Sequence, residues 1–574
     1  MKNGKKFKTL LTRYAKSLDK KNPLPEYPRP QFKRNSYLSL NGEWDFEGGG
    51  YLGKITVPFA PESFLSGVEK TFSDNDVIRY KKLFSIPEGF KKDRIILHFG
   101  AVDQVADVFF NGEKIGTHEG GYHPFSFDIT DCICAGDNEL SLEVSDRLDG
   151  IFPYGKQKRE RGGMWYTPIS GIWQTVWLES TPKGAIRGMK ITGDMHSVKI
   201  ECEADKLPLK LTMKETGLVY ESQDGKFEIA PESAKRWSPE SPYLYYFTIE
   251  NEDDKIESYF ALREIGIGNF NGTPRLTLNG EPYLFNGLLD QGYFPDGIYT
   301  PASYEAYRDD IMLAKSLGFN MLRKHIKIEP LIFYHLCDVL GIVVFQDMVN
   351  NSDYSFIRDT ALPTVGIKKI SDKNLHKNPV SREKFRTAMR ETQELLYNSP
   401  SVLYYTVFNE GWGQFSADEN YEIAKSYDKT RIYDATSGWF TQTKSDVDSH
   451  HVYFKKAKIK CFYERPVVLS EFGGYSYRPE GHLFGAKNYG YSVYNSREDF
   501  ESALTRLYRE EIFPLAERGI SALVYTQISD VEDETNGFIS YDRELIKLDV
   551  QKFASLSREL YEISNSKNNR TVKE

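Results

Sequence analysis

The sequence predicts a multidomain chain in which two β-sandwiches precede a (β/α)8 TIM barrel. Three observations lead there. The 574 residues are too many for one hydrophobic core. Residues 36 to 266 read as short strands between turn signals, with no helical period of useful length. From about residue 270 the period changes, and strand-like runs alternate with helix-like ones.

Residues 1–35 are read as an N-terminal extension. It opens MKNGKKFKTLLTRYAKSLDKK, which Lys, Arg and Asp interrupt before the apolar core of a signal peptide, about 7–15 residues, can form. Residues 36–182 contain RIILHFGAV, ADVFFNGEKIG, PFSFDIT and NELSLEVSD, short strands of a sandwich, with Asn111-Gly112 marking a hairpin. The last strand of this region is GIWQTVWLES, whose Trp173 and Trp177, four apart, are expected on one face. Residues 183–266 continue as weaker strands, among them SVKIECEA, LKLTMKE, YLYYFTIEN and ESYFALREIGI. Their all-β length of about eighty residues is that of an immunoglobulin-like sandwich.

Residues 267–574 read as the barrel. PYLFNGLLDQG is a strand, SYEAYRDDIMLAKSLG a helix stopped by Gly318, and FNMLRKH a strand. PLIFYHLCDVLG is a helix with Pro at its start, IVVFQDM a strand, and SREKFRTAMRETQELLYN a helix after a long loop. The strands SVLYYTVFNE, RIYDATS, DVDSHHVYF and PVVLSEFGG follow, then a helix over residues 495–519 and the strand SALVYTQISD. Eight strand candidates, mostly alternating with helices, fit a (β/α)8 barrel. A doubly wound sheet is the alternative, but no glycine-rich phosphate turn follows the first strand.

Composition narrows the function. The net charge of −8 is spread along the chain, which argues against a nucleic-acid or anionic-membrane partner. The 37 Tyr and 36 Phe favour β-structure and sugar-type ligands. Five cysteines are an odd count, and Cys132-x-Cys134 lacks further metal-ligand partners, so free, mostly buried thiols in a reducing compartment are expected. No segment reaches the ~20 apolar residues of a membrane helix. A cytoplasmic location is expected, and self-association stays open.

The stretch SVLYYTVFNEGWGQF, residues 401–415, runs from a buried-strand pattern straight into Asn409 and Glu410. A carboxylate is costly to desolvate, so its place at the mouth of a core strand calls for a use. Read as a barrel, the strand ends carry Asp290, Arg323 with His325, Asp347, Asn409 with Glu410, Tyr453, Glu471, and Tyr525 with Gln527. Glu410 ends the fourth strand and Glu471 the seventh, and these ends face each other across the mouth of a closed barrel. Two carboxylates about 5–5.5 Å apart are what a retaining glycosidase requires.

The chain resembles glycoside hydrolase family 2, the family of β-galactosidases, β-glucuronidases and β-mannosidases. The resemblance runs through LNGEWDF, VFFNGEKIGTHEGGYHPFSFDIT, YTPISGIWQTVWLE, LGFNMLRKH, FNEGWG and LSEFGG, nearly the whole chain. It implies a jelly-roll sugar-binding-like sandwich, an immunoglobulin-like sandwich and a catalytic barrel in that order. It implies Glu410 as acid/base and Glu471 as nucleophile, Tyr453 hydrogen-bonded to the nucleophile, and His325 and Asn409 as ligands of sugar hydroxyls. Trp412 and Trp439 are sugar platforms or core packing, and Asp290 and Asp347 lie near the sugar or orient a neighbour.

Two departures matter. Tyr525 stands where relatives commonly carry a Trp beneath the sugar. Where the family's β-glucuronidases place an Asn-x-Lys pair, this chain reads Asn536-Gly537-Phe538, preceded by the acidic Asp530, Glu532, Asp533 and Glu534, a loop open to the reading that it faces solvent. No counterpart of the magnesium ligands of large β-galactosidases is evident, and His450-His451 point to opposite faces of a strand, so no metal or cofactor is expected. The expected activity is that of a retaining exo-β-glycosidase acting on a small glycoside or oligosaccharide, β-galactosidase first. β-Glucosidase, β-mannosidase, glucosaminidase and arabinosidase are the alternatives within the family. A non-catalytic carbohydrate-binding protein or a metal-dependent hydrolase is the alternative outside it.

Overall fold

Period-two burial builds the first sandwich. In Gly42–Gly48 the side chains of Trp44 and Phe46 turn inward while Glu43, Asp45 and Glu47 turn to solvent. The computed structural model describes residues 9–364, 367, 370–453, 456, 457, 459 and 461–568, so the first eight residues of the extension lie outside it. A six-stranded antiparallel sheet faces a four-stranded one across a core that includes Trp44, Phe46, Leu97, Val108 and Leu142. Asn111 and Gly112, at φ +50° and +84°, make the hairpin between Val105–Phe110 and Glu113–Glu119.

GIWQTVWLES does not run as one strand. Gly171–Ile172 and Val176–Thr181 belong to different sheets, and the break sends the two tryptophans to different places. Trp173 donates to the Gly121 carbonyl at 2.8 Å and stands edge-on to Tyr299 of the barrel region, while Trp177 stacks on His98. Docking on the barrel outweighs strand continuity here: Thr300 donates to the Trp173 carbonyl at 2.5 Å. The second sandwich pairs a three-stranded sheet with a four-stranded one over Ile200, Leu211, Phe247 and Ile256. All five cysteines are unpaired, yet only Cys337 is buried, and Cys134 and Cys461 are exposed.

The barrel strands are β1 (Phe285–Asp290), β2 (Met321–Lys324), β3 (Val343–Asp347), β4 (Val402–Asn409), β5 (Ile432–Ser437), β6 (Asp448–Val452), β7 (Val467–Gly473) and β8 (Ala522–Thr526). They form one parallel sheet in the order β5-β4-β3-β2-β1-β8-β7-β6. β5 and β6 meet through side chains, Ser437 Oγ lying 3.1 Å from His451 Nε2. Alternation sorts the residues: Leu289, Met321, Phe345, Tyr404, Val468 and Val524 pack inside the barrel, whereas Leu288, Leu322, Tyr405, Leu469 and Tyr525 join the core under the helices. Helix starts follow the sequence. Asn378 caps Pro379–Leu396 by accepting from the amides of Val380 and Ser381, and Ser496 caps Arg497–Leu507. Among the described residues no helix is long and apolar enough to cross a membrane.

Candidate active site

The ends of β4 and β7 aim two carboxylates into the barrel mouth. Glu410, the first residue past β4, has φ +52°, a strained setting for a side chain with a Cβ. Its amide donates to the Ser437 carbonyl at 3.0 Å and the Trp412 amide to the Asn409 carbonyl at 2.8 Å, so a tight turn fixes it. Glu471 sits within β7 where the register slips against both neighbours, between His450 and His451 on β6 and between Leu469 and Phe472 of β7 against β8. Such a bulge re-aims a side chain, here into the mouth.

The two groups have unequal surroundings. Glu471 accepts from Arg323 Nη1 at 3.1 Å and from the Tyr453 hydroxyl, and lies 3.6 Å from His451 Nδ1. Glu410 Oε1 lies 2.8 Å from His451 Nδ1. Arg323 can only donate, and its Nη1 lies 3.4 Å from His451 Nε2, which assigns the imidazole proton to Nδ1 and makes Glu410 its acceptor. Arg323 also holds Asp347 at 3.0 Å, the Asn409 side-chain carbonyl at 2.8 Å and the Ser470 carbonyl at 2.9 Å. Asp347 in turn orients His325, whose Nδ1 is 2.7 Å away.

Burial governs the carboxyl pKa values. It pushes Glu410 up to about 7, against the opposing charges of Lys156 and Arg323. It raises Glu471 as well, with His451, Arg323 and the Tyr453 hydrogen bond pulling the other way. Two donors on Glu471, Arg323 and Tyr453, against the His451 imidazole alone on Glu410 place the proton of a half-protonated pair on Glu410.

Two family models match this chain. Residues 55–173 match the glycosyl hydrolase 2 galactose-binding domain-like model, and residues 274–476 match the glycosyl hydrolases family 2 TIM barrel domain, together more than half of the chain. The chain belongs to glycosyl hydrolase family 2. A β-galactosidase of Thermoanaerobacter pseudethanolicus is 26% identical over 330 residues, 53% of this chain and 44% of that protein. A β-glucuronidase of Streptococcus agalactiae is 22% identical over 78% of this chain and 84% of its own length. The chain spans less than half the length of the first curated β-galactosidases it matches. Among solved structures, a β-D-glucuronidase of Dictyoglomus thermophilum superposes with a TM-score of 0.73 at 17% identity, covering 93% of this chain and 98% of that one, which shows the shared fold.

Within this family 2 barrel, six of the residues singled out from the sequence converge at the mouth: Glu410, Glu471, Asn409, His325, Tyr453 and, half-buried beside His451, Trp439. Asn409 Nδ2 is buried with no partner among the described residues, a donor available to a ligand. Four others have partners of their own. Asp347 engages Arg323 and His325, and Asp290 engages Lys324 at 2.7 Å and the Gly292 amide at 2.9 Å, so both orient neighbours, one of the two readings the sequence left open. Trp412 is buried against Trp165 at 5.2 Å, a packing partner across the sandwich–barrel boundary. Tyr525 faces outward from β8, stacks on Phe538, and its hydroxyl accepts from the Tyr475 amide at 3.2 Å.

Two members of the site were not singled out. Arg323 was legible only as a strand-end cation. His451 was set aside with His450 as a false metal pair; the two do point apart, but His451 alone lies between both carboxylates. Oxygens of Glu410 and Glu471 and a nitrogen of His451 lie within 4.8 Å of one another, close enough to hold an ion. The proton on Nδ1 points at those oxygens, so this trio is a hydrogen-bonded cluster, and a metal would have to displace that proton. The loop after β8 is not solvated either: Asp530, Glu532, Asp533 and Glu534 are all buried.

Proposed function

We propose that this protein is a retaining exo-β-glycosidase with Glu471 as nucleophile and Glu410 as acid/base. The observation that carries the reading is the close pair with unequal donors. Glu410, protonated, gives its proton to the glycosidic oxygen while Glu471, held as an anion by Arg323 and Tyr453, attacks the anomeric carbon. The aglycone leaves as an alcohol and a glycosyl–Glu471 ester forms. Esterification removes the negative charge of Glu471, the pKa of Glu410 falls, and Glu410 takes a proton from the water that opens the ester. His325 and Asn409 hold sugar hydroxyls, the Asn409 amide tightening on the 2-hydroxyl in the transition state.

For the sugar, a β-galactoside is the first choice. Relatives named β-galactosidase support it, and so does the buried Glu534, whose carboxylate would repel that of a uronate. The test is a panel of 4-nitrophenyl glycosides together with a 2-deoxy-2-fluoro β-galactoside. Turnover of the β-galactoside and a covalent label on Glu471, read by peptide mass, are expected. A label on another residue would overturn the nucleophile assignment, and faster turnover of a different sugar would overturn the substrate.

A further inference from the structure

The first sandwich sends a buried cation toward the turn that carries Glu410. The Tyr154 and Gly155 amides donate to the Asn350 carbonyl of the barrel at 3.0 and 3.4 Å. Gly155, at φ +67°, lies so close to the barrel that a Cβ there would meet the Ile326 carbonyl oxygen at 2.8 Å. On the other side Gln157 bonds Asp103, Tyr122 and the Ile169 amide. Lys156, pinned between these anchors, is only 7% exposed.

Its ammonium lies 5.4 Å from the ring centre of Trp412, two residues beyond Glu410, and 5.6 Å from that of Tyr166. Tyr166 donates to Glu534 at 2.9 Å. Among the described residues no carboxylate pairs with Lys156 and no acceptor takes its protons. The other barrel-mouth cations are committed: Arg323 to Asp347 and Glu471, Lys324 to Asp290 and Glu329, Lys327 to Glu329. A buried ammonium resting only on two aromatic faces is costly unless something completes it.

We propose that Lys156 is a substrate-contacting, specificity-determining residue whose ammonium donates to a hydroxyl oxygen of the sugar, that hydroxyl donating in turn to Glu534. The inference rests on the glycosidase reading. A hydroxyl both accepts and donates and so satisfies the ammonium and the carboxylate together; a uronate carboxylate only accepts and would face Glu534 unpaired. The charge of Lys156 also opposes the upward push of burial on the carboxyl groups of Glu410 and Glu534.

The test compares kcat/KM for 4-nitrophenyl β-galactoside and its 3-, 4- and 6-deoxy analogues in the natural protein and in Lys156→Met. Removing the contacted hydroxyl should cost the natural protein about ten- to a hundredfold, as for a hydrogen bond to a charged group. In Lys156→Met that one penalty should collapse to within about threefold while the other two stand. Equal penalties in both proteins would overturn the proposal. Removing the cation should also move the alkaline limb of kcat/KM upward, since Glu410 then titrates higher; an unmoved limb would place the ammonium away from the catalytic pair and overturn the proposal. Lys156→Arg, which keeps the charge but displaces the donor, serves if the Met variant does not fold, and must change the penalty at that one position only. Binding of the intact galactoside to Glu471→Gln, with and without Lys156→Met, reads the contact without chemistry. Lys156-dependent binding without any turnover in the natural protein would sink the hydrolase reading and spare this one. Turnover without Lys156-dependent discrimination would sink this one alone.

Discussion

Glu410 and Glu471 differ in their donors, and the acid–base assignment proposed for them rests on that difference. A guanidinium and a phenol stabilise charge on Glu471, whereas Glu410 has the His451 imidazole alone. The acid must be protonated to act, so kcat/KM should fall as pH rises through about 7, the value to which burial pushes Glu410. The acid limb should lie above the usual carboxylate range, because Glu471 is raised and must be ionised. Tyr453→Phe removes one donor from the anion and should move that limb further up; an unmoved limb would deny Tyr453 its role. In Glu410→Ala, glycosides with poor leaving groups should slow by about 100-fold or more and activated aryl glycosides far less. Added azide should then yield a β-glycosyl azide. That Glu410 and Glu471 meet was legible from their strand ends, because barrel topology dictates which ends face each other, while their expected roles came from the family resemblance. His451 and Arg323 were not, because their roles depend on hydrogen bonds between strands distant in sequence.

At the level of the element, period-two alternation decides which residue of β8 meets the pocket. Val524 packs inside the barrel, Tyr525 turns out to Phe538, and Thr526 turns in to lie 3.0 Å from the Tyr453 hydroxyl. Family position pointed to Tyr525, but side-chain direction overrules it. Tyr525→Phe should therefore leave KM within about twofold and cost roughly 1 kcal/mol of stability for the lost bond to the Tyr475 amide. A large rise in KM would restore Tyr525 to the sugar site. The acidic run after β8 was left open to facing solvent or meeting the substrate, and Glu534 is buried between Tyr166 and Gln527, 2.9 and 3.0 Å away. Its carboxylate should repel a uronate, making β-glucuronide the poorer substrate beside β-galactoside. Glu534→Gln should raise the glucuronide-to-galactoside ratio of kcat/KM about tenfold; no change would remove Glu534 from the sugar's surroundings.

For the whole molecule, the first sandwich braces the barrel end that carries the carboxylates. Trp165 stacks on Trp412, Tyr122 bonds Tyr299 at 2.9 Å, and Tyr166 reaches Glu534, all from the first sandwich to the barrel region. Trp165→Ala should cost about 3–5 kcal/mol, the scale of a buried aromatic, and reduce activity by loosening the turn that carries Glu410. Unfolding in denaturant with parallel assays checks both effects. The order of two sandwiches and a barrel was legible from the change of period near residue 270. The docking between them was not, since aromatic residues such as Trp173 look alike whether they fill a sandwich or leave it.

The measurement that bears most directly on the central claim is proton NMR of the first sugar released from a β-glycoside. Two displacements at one anomeric carbon, by Glu471 and then by water, retain configuration. The β-anomer is expected to appear first, with the α-anomer growing in only by mutarotation. Initial release of the α-anomer would mean a single displacement by water, and Glu471 would then be a base and not a nucleophile.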